Sequence, residues 1–78
     1  ALAGTGRTDA AVEVARRLIA AVPDDPRGYL DLGVVLGRAG LLTEARDAFA
    51  SGLLRIPGHP DLLANYERAE SLLASPAE

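Results

Sequence analysis

The 78-residue chain has no cysteine, methionine, tryptophan or lysine, and only one histidine and three aromatic residues. Without cysteine there is no disulfide framework and no thiol chemistry. With one imidazole and no thiolate, a metal site would have to be completed by carboxylates alone. The net charge is −3, so the basic face that nucleic-acid binding uses is missing. No apolar run approaches the roughly 20 residues of a membrane span. No basic stretch precedes an apolar one at the N-terminus, so no signal peptide is visible. The compartment stays open, the cytoplasm being favoured. A chain that begins at Ala1 and holds no methionine reads as a fragment or a processed product.

What is present forms helices. Apolar residues make up 49% of the chain and charged ones 24%, a globular balance for one small domain. Alanine occurs 15 times, leucine 13 and arginine 8, all strong helix formers. Valine, threonine and isoleucine together number only ten. The expectation is an all-α domain. The lysine-free, alanine- and arginine-rich usage fits a GC-rich bacterial genome.

Breakers divide the chain into four antiparallel helices near 9–22, 26–39, 43–56 and 60–74. The opening Ala1–Gly6 is too short to stand alone. Thr8-Asp9 offers the first N-cap, Asp25 with Pro26 the second, Thr43 the third and His59 the fourth. Gly40 suits the left-handed residue just past a helix. Ser75-Pro76 closes the last helix. In the third helix Ala45, Phe49, Leu53 and Ile56 share a face. In the fourth, Leu62, Leu63, Tyr66, Ala69, Leu72 and Leu73 recur at helical spacing.

The breakers also repeat. A shift of 34 aligns Gly6 with Gly40, Ala11 with Ala45, Pro23 with Pro57 and Pro26 with Pro60. Overall identity at this shift is hardly above what composition gives, so the placement of the matches carries the signal. Within 26–57, Tyr29, Leu32-Gly33, Leu36, Ala45, Phe49, Gly52 and Pro57 alternate large and small residues as interlocking helices require. This pattern resembles the tetratricopeptide repeat family. The resemblance implies a partial repeat over 1–25, a complete one over 26–59, and a terminal helix with its tail over 60–78. Ala15 and Leu18 depart from the family pattern, and Glu67 and Glu70 replace a glycine and a large apolar residue. Helix four is therefore expected to end the stack with one face in solvent.

Two groups of residues follow. Phe49 and Tyr29 should be core anchors, with Tyr29, Leu32, Leu36, Leu63 and Tyr66 forming the apolar seam. The resemblance implies a protein-interaction scaffold that holds a peptide or partner helix in a concave groove. Groove positions would be Arg27, Leu30, Asp31, Val34, Gly37 and Arg38 from helix two. Helix four would add Asp61, Ala64, Asn65, Arg68, Ser71 and Leu72. Arg27, Asp31, Val34, Arg38, Asn65 and Arg68 are the principal candidates for partner contact. Leu30 and Val34 stand where the family's carboxylate-clamp members carry polar residues.

Chemistry is otherwise sparse. Gly4-Thr5-Gly6-Arg7-Thr8 lacks the lysine and preceding strand of a phosphate loop. His59 reads as a cap, Asp24-Asp25 as a capping turn and Glu67/Glu70 as a solvated face. Glu13 and Arg17 read as a surface pair. No nucleophile–base pair is evident, so no enzyme, cofactor or metal is expected. Two alternatives remain. One is self-association through an apolar flank at Val12, Val14, Leu18 and Ile19. The other is a regulatory or docking segment of a larger enzyme.

Overall fold

The computed structural model describes residues 5–74. Four helices follow in order: α1 (Thr5–Ala21), α2 (Pro26–Arg38), α3 (Leu42–Arg55) and α4 (Pro60–Ala74). No strand occurs among the described residues, so the fold is all-α. The Ala1–Gly4 segment and the Ser75-Pro76 stop lie outside them. Among the described residues no helix is long and apolar enough to cross a membrane.

Local chemistry explains most of the ends. Asp25 Oδ1 accepts the Arg27 backbone N–H at 2.9 Å, and Pro26 opens α2. His59 caps α4, its Nδ1 accepting the Leu62 N–H at 3.3 Å. Helix α2 ends in a Schellman motif: Gly40 N–H donates to the Gly37 carbonyl and Leu41 N–H to that of Leu36. Gly40 takes φ +84° there.

Two expected caps fail. Thr8 and Asp9 lie inside α1, which starts at Thr5. Extending a helix adds one backbone hydrogen bond per residue, and cap-type side chains do not by themselves stop it. Thr43 lies inside α3, whose N-cap is Leu41 with no side-chain cap bond. The Schellman turn ends on Leu41 itself, so α3 begins before Thr43 can act.

Helix α2 is central and packs against α1, α3 and α4; α3 also packs on α4. The Cα extents are 37 × 28 × 13 Å, so the thin dimension holds two helix layers at the usual spacing of about 8–10 Å. Two layers share one interface, and the core lies along it. Its buried residues are Ala15, Tyr29, Leu32, Leu36, Ala45, Ala48, Phe49, Leu62 and Ala69.

Glycine makes this interior tight. A Cβ on Gly33 would come within about 2.3 Å of the Phe49 ring, and one on Gly52 within 2.8 Å of Tyr29 Cβ and 3.0 Å of Leu62 Cδ1. The rings of α2 and α3 therefore sit on bare backbone of the opposite helix. Tyr29 also donates its hydroxyl to the Pro23 carbonyl at 2.7 Å, tying the α1–α2 turn to the core.

The expected seam needs one correction. Leu62 is the fully buried leucine of α4, whereas Leu63 is 40% exposed and Tyr66 half-buried. Gly52 of α3 receives Leu62, and one residue further along a helix turns about 100° away. Glu67 and Glu70 face solvent.

Phe49→Ala should cost about 3–5 kcal/mol, most of what so small a domain holds. Tyr29→Phe keeps the ring and should cost only about 1 kcal/mol. Urea unfolding followed by helical circular dichroism measures both. A Phe49→Ala variant melting within a few degrees of wild type would remove Phe49 from the core.

Candidate functional site

A groove of about 370 Å³ opens between α2 and α4. Its floor is Phe49 and Ala45 of α3 with the bare backbone of Gly33 and Gly37. Val34 and Arg38 of α2 form one wall; Asn65, Arg68, Ala69 and Leu72 of α4 form the other. Leu42 also contributes to the lining. Gly37 differs from Gly33, because a Cβ there would find only Ala45 Cβ at 3.9 Å. Packing does not require glycine at 37; its bareness adds depth to the groove.

Four of the six candidate contact residues meet here: Val34, Arg38, Asn65 and Arg68. Arg27 and Asp31 do not. Arg27 clasps the Asp25 carboxylate, with Nη2 to Oδ2 at 2.7 Å and Nε to Oδ1 at 3.1 Å. Its guanidinium serves the α2 cap. Asp31 is exposed one turn before Val34, and the groove lining on α2 begins only at Gly33. Sequence reasoning missed Leu42 and the floor role of Phe49 and Ala45. The Gly33–Gly37 spacing was the available signal, since two missing side chains one turn apart expose whatever lies beneath.

The two arginines set the electrostatics. Elsewhere Arg17 pairs with Glu13 at 2.9 Å, Arg46 with Glu70 at 3.5 Å, and Arg55 with Asp24 at 3.5 Å. Arg38 and Arg68 form no ion pair or hydrogen bond among the described residues. Both are exposed on the groove walls. Asn65 is steadied by a 2.8 Å bond from its Nδ2 to the Asp61 carbonyl. The result is an apolar floor under two unpaired guanidinium groups. No group of His, Asp or Glu among the described residues is placed to hold a metal ion.

Compared with protein-family models, curated proteins and solved structures, the chain matches none.

Two outcomes follow. Gly37→Leu should fill the groove while keeping the helical spectrum and a melting temperature no lower than wild type, because its Cβ meets nothing closer than 3.9 Å and leucine is the better helix former. The Arg27 side-chain hydrogen bonds, followed by the Arg27 backbone N–H, hold the Asp25 carboxyl down to about 2. A depressed carboxyl stabilises the fold above its unfolded value of about 4 and loses that contribution as pH falls toward 2. The melting temperature should therefore drop across that window, and Asp25→Asn should flatten the drop. An unchanged acid profile in Asp25→Asn would contradict this assignment.

Proposed function

We propose that the chain is a tetratricopeptide-like interaction module. Its α2–α4 groove takes an extended partner segment carrying an apolar residue and a carboxylate, either an acidic side chain or a C-terminus. The unpaired Arg38 and Arg68 above the Phe49 floor are the observation that carries this reading. Guanidinium binds carboxylate through two parallel hydrogen bonds, the strongest class of polar contact. Such contacts contribute about 1.5–3 kcal/mol each. The apolar residue fits over Phe49, Ala45 and Leu72, where water is already partly excluded. The groove lining holds no serine, threonine, histidine or carboxylate, which favours binding over catalysis.

An array of peptides with acidic interiors or free C-termini, read by fluorescence polarisation, supplies ligands. Arg38→Glu with Arg68→Glu should weaken the best binder by at least about tenfold, with little change in melting temperature, as surface positions allow. Equal affinity for the double charge reversal would refute the reading.

A further inference from the structure

Gly28, Gly33, Gly37 and Gly52 lie inside helices, and packing requires three of them. A Cβ on Gly28 would lie 2.7 Å from Ile19 Cγ1, one on Gly52 2.8 Å from Tyr29 Cβ, and one on Gly33 would enter the Phe49 ring. Gly37 is the exception, with Ala45 Cβ at 3.9 Å as the nearest neighbour of such a Cβ. Its φ is not positive, so its backbone does not call for glycine. Its carbonyl accepts the Gly40 N–H, which the carbonyl of any residue could do. Alanine is the better helix former at this position. Glycine at 37 therefore brings the fold nothing, whereas it brings the groove room.

We infer that Gly37 sets which side chain the groove accepts, and that the accepted anchor is an aromatic ring beside an acidic residue. This rests on the reading of the groove as a site for a partner segment. The room lies at one end. Phe49 already fills the floor over Gly33, one turn earlier on α2. The hollow lies over Gly37 and Ala45, with Leu42 and the half-exposed Leu72 also in the lining. These residues bring no polar side chain, so a polar anchor pushed between them would lose its hydrogen bonds to water unreplaced.

Size narrows the choice further. At about 370 Å³ the groove reaches the range of small-ligand pockets, roughly 300–1,000 Å³. A methyl-sized anchor would leave most of it without contacts. An aromatic ring covers the most apolar surface with only two side-chain torsions to fix. Arg38 and Arg68 complete the match, since a guanidinium lies flat on a ring as well as clasping a carboxylate. Neighbouring side chains of an extended segment point to opposite sides. A ring directed at the floor thus leaves the next residue's carboxylate at the rim, where the arginines are.

Three peptides that differ only in carrying Ala, Leu or Phe beside a Glu test this on the whole chain, read by fluorescence polarisation. Wild type should bind the Phe peptide at least about tenfold more tightly than the Ala peptide, with Leu between. Gly37→Leu should bind all three about as weakly as wild type binds the Ala peptide, and Gly37→Ala should keep part of the preference. Arg38→Glu with Arg68→Glu should weaken all three and keep their order. Wild type that does not prefer Phe overturns the inference, as does a preference that survives undiminished in both Gly37 variants. Either result leaves the groove reading standing if the charge reversal still weakens binding. Charge reversal without effect refutes that reading and this inference with it.

Discussion

Everything in this small protein depends on how closely α2 and α3 approach. Gly33 lies beneath the Phe49 ring, and Gly52 beneath Tyr29 and Leu62. With two helix layers there is a single interface in which to bury apolar surface. Burial there comes from large side chains seated on bare backbone, where each aromatic ring removes far more apolar area from water than an alanine would. The same seating brings α4 alongside α2, because Leu62 shares the Gly52 position with Tyr29.

The groove is a by-product of that arrangement. Phe49 is buried, yet its ring is also the floor between α2 and α4. A residue that holds the core together and lines the groove couples the two. Substitutions at 49 therefore damage both, whereas Gly37, Arg38 and Arg68 can be changed without disturbing the interior. Surface ion pairs such as Arg46–Glu70 and Arg55–Asp24 add little, being exposed and screened. Arg38 and Arg68 on the groove walls have no such carboxylate.

Helix order, the Asp25, Gly40 and His59 ends and the core places of Phe49 and Tyr29 were legible in the sequence, because each rests on a residue type with one dominant local use. Proline at an N1 position and glycine at positive φ are of that kind. The start of α1, the Leu41 cap and the burial of Leu62 instead of Leu63 were not. Thr8 and Thr43 can cap a helix or ride inside one, and only the neighbouring turns decide which. Adjacent leucines on an amphipathic helix differ by one helical step, which packing partners settle and periodicity does not. The groove residues Val34, Arg38, Asn65 and Arg68 came from the family resemblance, with helical spacing putting each set on one face. Arg27 and Asp31 share that spacing but sit beyond the end of the groove, and Arg27 is held by the cap it supports.

Unfolding free energies of Gly33→Ala and Gly37→Ala, measured side by side in urea, test the close-approach account most directly. Alanine is the better helix former by about 1 kcal/mol at either position. The account predicts opposite signs: Gly37→Ala gains stability because its Cβ meets nothing closer than 3.9 Å, and Gly33→Ala loses stability because its Cβ collides with the Phe49 ring. A gain at both positions would mean that α2 and α3 do not meet at Gly33, and the account would fail.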